Sequence, residues 1–440
     1  MSVHLLQHAW IEGRVRDAVL VEIEHGRFTR VTPDAADAAD GADRVGGLTL
    51  PGFANTHSHA FHRALRGRTQ SDRGTFWTWR EQMYAVAGRL DPDSYYQLAR
   101  AVYVEMLAAG YTAVGEFHYL HHQPDGTPYA DPNAMGSALL AAAQDAGIRI
   151  TLLDTLYLSS GFGAAPEGVQ RRFDDGSAEA WQDRVAALRI PDGAGDRARI
   201  GVAAHSVRAV PAAALKAFTP SVDAGLPVHV HLSEQVKENE DCLAAYGLTP
   251  AGLLAEHGVL GPMTSAVHAT HLTDEDIRLL GEARTFASFC PTTERDLGDG
   301  IGPSRRLEES GAVVTLGSDS HAVIDAFEEM RALELDERLA TQARGHWSAA
   351  ELLTAASVDG HRSLGFADAG EIAVGRRADL VTIDLASTRT AGTGADEHTA
   401  VFAAGAADVT RVVVDGRVVF DGDHRSVGRS LSEKIGRIWA

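Results

Sequence analysis

The chain has 440 residues, 45% of them apolar and 23% charged, the balance of a globular protein. Forty basic residues face 60 acidic ones, and the net charge of -20 argues against nucleic acid or an anionic membrane surface as partner, though not against a small anionic substrate held by local charge. Two cysteines, Cys242 and Cys290, are too few for a disulfide framework, and no run approaches the roughly 18 apolar residues of a membrane span, so a reducing cytoplasm is the simplest home.

Residues 1–47 alternate without helical period, and 3–6, 18–23 and 28–31 read as short strands between Gly and Asp turns. From Leu48 the pattern changes to strand, loop and helix, repeated. Apolar strands are predicted at 48–54, 111–117, 148–153, 200–204, 227–231, 265–268, 285–289 and 313–317. Helical stretches separate them, which implies parallel strands. Eight such units make a (β/α)8 barrel over 48–369 the leading architecture. A doubly wound open sheet is the alternative, but no Gly-rich phosphate loop follows the first strand. Strand patterns return at 371–375, 378–383, 409–414 and 418–420, with Asp415-Gly416 as a hairpin turn. The two ends, 1–47 and 370–440, are therefore expected to pair into one small β-sandwich domain beside the barrel.

Chemistry concentrates where these strands end. His57 and His59 end the first, and in an extended chain side chains two apart point to the same face. Two imidazoles aimed at one point suit a metal, but the spacing alone fits two ordinary histidines equally well. The other ends supply more. His205 ends the fourth strand, His229 and His231 the fifth, His268 the sixth and Asp319 the eighth. In a barrel of this kind all these ends meet at one face. His57, His59, His231 and Asp319 form a set of three nitrogens and one oxygen, which suits one Zn²⁺, or Fe²⁺, better than Mg²⁺ or Ca²⁺. Such a metal lowers the pKa of bound water to roughly 7. Asp319 can take that water's proton. Glu234, three residues after His231, reaches the same pocket as general acid and base. His268 can orient the nucleophile or stabilise charge on the reacting group.

These residues resemble the amidohydrolase superfamily. The resemblance rests on Leu50-Pro51-Gly52-Phe53 leading to His57-Ser58-His59, then His231-Leu232-Ser233-Glu234, His268 and Gly317-Ser318-Asp319-Ser320, and it continues into the tail from Gly370 to Leu380. Two-metal members carry a carboxylated Lys or a Glu at the end of the fourth strand. Here that position is His205, which implies one metal. One-metal members with His-x-x-Glu on the fifth strand are typically deaminases.

Narrower motifs are similar to those of the formimidoylglutamate deiminase family, which acts in histidine degradation. They are the segment from Phe76 to Tyr84, Glu116-Phe117-His118-Tyr119, His205-Ser206-Val207-Arg208, and the stretch from Cys290 to Gly300. The resemblance implies hydrolysis of N-formimino-L-glutamate to N-formyl-L-glutamate and ammonia. It also implies that Arg80, Tyr119, His205 and Arg208 hold the substrate, and that the enzyme is a homodimer. A dicarboxylate needs cationic clamps, and Arg binds carboxylate in a bidentate fork. One position departs from the pattern. Many relatives carry Gln where this chain has His62, so His62 is the expected substitute donor in the pocket. His118, His121 and His122 are read as a polar loop without a metal role. The alternatives are a one-metal deaminase of guanine or an adenosine-like compound, and an inactive barrel that serves as a binding subunit.

Overall fold

The structure is a computed structural model and describes residues 1–38, 41–70, 74 and 76–440. Four strands open the chain: β1 (Ser2–Ile11), β2 (Arg14–Glu24), β3 (Arg27–Thr32) and β4 (Asp43–Pro51). A central group follows: β5 (Phe53–Ser58), β6 (Tyr111–His118), β7 (Arg149–Leu156), β8 (Ala198–Ser206), β9 (Val228–Leu232), β10 (Thr264–His268), β11 (Phe286–Phe289) and β12 (Val313–Leu316). The last strands are β13 (Leu380–Ile383), β14 (Val409–Val414) and β15 (Arg417–Phe420).

β5 to β12 form one sheet in chain order, each parallel to the next. Helices lie between consecutive strands, such as Pro92–Ala108 before β6 and Ala134–Ala146 before β7. β6 and β7 are buried along their whole length, as strands covered on both faces must be. A bridge between Ser58 and Asp319 brings the first and last strands together into a nearly closed barrel. The eight-unit barrel predicted from strand spacing is thus the fold. A second sheet has the order β15-β14-β13-β4-β1-β2-β3 and takes strands from both ends of the chain. Its β14–β15 hairpin turns at Asp415 (φ 46°) and Gly416 (φ 73°), the left-handed pair that a tight two-residue hairpin requires.

Two predicted strands differ. The apolar run 48–54 serves two sheets instead of one. Residues up to Pro51 belong to β4 and pair with β13, and the barrel starts at Phe53. The switch occurs at Gly52, whose N–H donates to the Asp379 carbonyl (3.1 Å), while the next N–H, of Phe53, donates to Gly110 (3.1 Å). A Cβ on Gly52 would lie 2.3 Å from Thr112 Oγ1, so only glycine fits this crossing. The stretch 371–375 is irregular rather than a strand. Its contact with the sheet is a short bridge beside β3, in which Gly375 N–H donates to Phe28 and Phe28 N–H donates to Arg376. A C-terminal helix, His424–Trp439, lies outside the elements predicted above; it buries Leu431 and Ile438, and Trp439 Nε1 donates to the Ala64 carbonyl at 2.9 Å.

Ion pairs tie the two sheets together. Arg149, at the start of β7, is fully buried and donates to Asp379 Oδ2 (2.5 Å) and Asp415 Oδ1 (2.7 Å). Nearby, Asp368 accepts from Arg27 (2.6 Å) and Arg377 (3.0 Å). Burial alone would raise the Asp368 carboxyl, but the two arginines override it and hold its pKa at about 2. An unfolded Asp titrates near 4. The stabilisation is therefore complete above pH ~4 and is lost as pH falls through the folded value. In urea unfolding, Asp368→Asn should be less stable than the parent at neutral pH, and the gap should close between about pH 4 and 2. A gap unchanged across that range would refute the pairing.

Candidate metal centre and pocket

The seam that closes the barrel is also where the site lies. Ser318 and Asp319 both donate their backbone N–H to the His57 carbonyl, at 3.1 and 3.0 Å, and His59 N–H donates back to Asp319 at 3.3 Å. Gly317 permits this approach. A Cβ there would fall 2.8 Å from His57 Cβ and 3.0 Å from Cys290 Sγ.

His57, His59, His231 and Asp319 can hold a metal ion, since one ligand atom from each lies within 4.8 Å of the others. His57 Nε2 is 3.1 Å from His231 Nε2, and Asp319 Oδ1 is 3.3 Å from Nε2 of both His57 and His59. The tautomers support the fit. His59 Nδ1 donates to the Phe117 carbonyl (2.9 Å) and His231 Nδ1 to the His205 carbonyl (2.8 Å). Each ring therefore turns its Nε2 lone pair inward. Burial pushes both imidazoles well below their ordinary pKa, so neither carries a second proton. Lone pairs and a carboxylate oxygen that face one another at this range form a set able to hold a cation. The donor chemistry suits a divalent transition metal.

Backbone strain gathers here as well. Ser233, His268, Ala269, Asp319 and His321 all have positive φ, from 37° to 68°. Non-glycine residues adopt such angles only where their surroundings impose them, commonly at functional sites.

A cavity of ≈ 270 Å³ opens above the cluster. His59, His231 and Asp319 line its floor, with Glu234 and His268 beside them. His57 lies beneath, fully buried. Arg80, Tyr119, His205, Arg208 and His62 also face this cavity. His62 Nε2 and the Tyr119 hydroxyl are 3.0 Å apart. Burial lowers the His62 pKa to about 4, so at neutral pH it is an uncharged polar group. Arg208 Nη1 is buried and has no hydrogen-bond partner among the described residues.

The acidic end is electrostatically tight. Burial raises the Glu234 carboxyl, and Asp319 adds to the rise. Burial would lower His268, but Glu234, Glu294 and Asp319 outweigh it and hold its pKa near 10. His268 thus has an acidic side chain on each side, Glu294 at Nδ1 and Asp319 towards Nε2.

His118 and His121 lie near Asp154 in a second cluster, but its carboxylate already has partners. Arg184 donates to both Asp154 oxygens at 2.8 Å, and Trp181 Nε1 donates to one of them at 3.1 Å. The guanidinium already supplies the cation. His121 Nε2 donates to the Thr155 carbonyl at 3.0 Å.

Sequence reasoning passed over several pocket residues. Tyr84, Tyr157 and Glu238 line the cavity. Gln170 Nε2 donates to the hydroxyls of Tyr157 (2.9 Å) and Tyr84 (3.1 Å), and Arg80 Nε donates to Tyr84 at 2.6 Å. Tyr157 directly follows the end of β7, so strand-end position could have flagged it. Gln170 stands in a loop turn, Gly168–Arg172, and carries no such signal.

An eight-stranded barrel with three imidazoles and a carboxylate at its C-terminal face defines a class of metal-site hydrolase barrels. The amidohydrolase family matches residues 48–419, and the chain belongs to that family. A formimidoylglutamate deiminase from Pseudomonas aeruginosa is 40% identical over 434 residues, 95% of this chain and 94% of the relative. The crystal structure of an amidohydrolase from Brucella melitensis superposes with a TM-score of 0.91 at 33% identity, over 100% of both chains. An adenosine deaminase from Xanthomonas campestris with bound zinc has a TM-score of 0.83 at 23% identity, covering 99% of this chain and 98% of that one, a likeness of fold alone.

Proposed function

We propose that the protein is a formimidoylglutamate deiminase of histidine degradation, hydrolysing N-formimino-L-glutamate to N-formyl-L-glutamate and ammonia. The 40% identical relative of that name supports the reaction. The observation that carries the substrate class is the pocket's polarity: Arg80 and Arg208 face the same cavity as Glu234 and Asp319. An amidine carrying two carboxylates has the complementary pattern. Its cationic formimino end matches the acidic side, and its carboxylates match the arginines.

His57, His59, His231 and Asp319 would hold one divalent metal, with zinc preferred over iron by the nitrogen-rich donor set. When bound, the metal supplies Lewis acidity and a water of lowered pKa. Asp319 accepts the proton of the attacking water. The oxygen adds to the formimino carbon. Glu234 passes a proton to the departing nitrogen and takes one back from the new hydroxyl as the carbon–nitrogen bond breaks, so that ammonia leaves as the formyl carbonyl forms and Asp319 gives up its proton to solvent. His268 places a donor at the reacting carbon and stabilises the charge that develops there. Tyr119, His205 and His62 orient the substrate, with His62 in the position where relatives carry Gln. A homodimer in the cytoplasm belongs to the same reading, and light scattering tests the assembly.

Ammonia release from N-formimino-L-glutamate, measured beside guanine, cytosine and adenosine, tests the proposal. Turnover of a nucleobase or nucleoside alone would replace it with a purine or pyrimidine deaminase. Arg208→Ala should lower kcat/KM for the dicarboxylate about 10- to 100-fold, the worth of a charged hydrogen bond. Metal content should stay at the parent level. Unchanged kinetics would remove Arg208 from the substrate site.

A further inference from the structure

Glu294 belongs to the Cys290-Pro291-Thr292-Thr293-Glu294 stretch, to which the mechanism above assigns no part. It sits in the short helix Pro291–Leu297, after β11. It does not line the cavity, and it stands behind His268. Its Oε1 is 3.4 Å from His268 Nδ1 and accepts the Cys290 backbone N–H at 2.9 Å. His268 Nε2 faces the other way, 3.9 Å from Asp319 Oδ2. Glu294 is 5% exposed and His268 1%, so their contact on the side away from the cavity is shielded from bulk water.

We propose that Glu294 is a positioning residue for the reaction, holding the His268 ring so that Nε2 addresses the cavity. The proposal rests on the reading that His268 acts on the substrate. The physical case has three parts. Nδ1 is a donor whenever it faces a carboxylate, in the neutral tautomer and in the imidazolium alike. The acceptor cannot follow a rotating ring, because the Cys290 N–H anchors the same oxygen. The backbone of His268 is itself in an unusual conformation (φ 68°), and Ala269 follows at φ 49°, so the ring's direction is not left to an ordinary strand geometry. The competing explanation is that Glu294 merely complements the positive start of its helix.

Glu294→Ala and Glu294→Gln separate the two. The amide of Gln still offers an oxygen to Cys290 N–H, and the same oxygen can accept from Nδ1. Glu294→Ala should lower kcat at least tenfold with KM within about twofold of the parent and metal content unchanged. Glu294→Gln should restore most of that rate. Crystal structures of the zinc-loaded proteins should show the His268 ring turned away from Asp319 in Glu294→Ala and in place in Glu294→Gln. A parental kcat with an unmoved ring in Glu294→Ala overturns the proposal. Equal losses in both variants also overturn it, since they would report helix stability or lost charge instead of orientation. If the parent protein does not act on N-formimino-L-glutamate, the functional reading fails, and the ring orientation still tests the Glu294–His268 pairing by itself.

Discussion

Glu234→Gln is expected to lower kcat for ammonia release by about 10²–10⁴-fold, the usual contribution of a positioned acid and base. The side chain keeps its size and loses only its proton exchange. Glu234 stands just past the end of β9, after Ser233 in a left-handed turn (φ 51°), and it lines the cavity beside His268 and Asp319. Burial and the Asp319 charge favour its protonated form, the form that can give a proton to a leaving nitrogen. Glu234 lies outside the four-ligand cluster, so bound metal should match the parent by elemental analysis. A variant that keeps more than about a tenth of the parental kcat would transfer the proton role elsewhere, because even the low end of the range is larger.

Asp379→Ala should produce the largest loss of stability, about 3–5 kcal/mol in denaturant unfolding. Arg149 and Asp379 are both fully buried, and the pair joins β7 of the barrel to the start of β13 in the terminal sheet. Removing the carboxylate leaves a buried guanidinium with Asp415 as its remaining counterion among the described residues. The cost is that of an uncompensated charge, not the net worth of the pair. An Arg149→Met, Asp379→Leu double variant should therefore recover most of the loss. Activity per folded molecule should persist in both, since Arg149 opens its strand at the end of the barrel opposite the cavity. An Asp379→Ala protein as stable as its parent would show that water reaches Arg149 after all.

Much of this arrangement is legible in the chain. Parallel barrel strands are covered on both faces, so they appear as apolar runs at regular spacing. Their C-terminal ends share one face, so His57, His59, His231, His268 and Asp319 could be gathered before any coordinate was known. The C-terminal helix was readable in principle, because Val427, Leu431, Ile435 and Ile438 recur with helical spacing. The run 48–54 was misleading for a physical reason. Apolar pattern reports burial, and both sheets bury it, so only the pairing of Pro51 with Leu380 and of Phe53 with Tyr111 shows where one sheet ends and the other begins.

The sequence by itself determined the architecture and the gathering of His57, His59, His231, Asp319 and Glu234 at one face of the barrel, because these depend on strand order and on position along a strand. Tertiary structure alone decided the rest. Asp319 meets His57 and His59 across a seam 260 residues long in sequence, through backbone bonds that no local pattern encodes. Gln170 joins Tyr84 to Tyr157, and Arg184 fills the place a second cation would take beside Asp154. Glu294 comes to lie behind His268. Each of these depends on side chains from separate loops and helices, whose mutual distance is set only when the whole barrel closes.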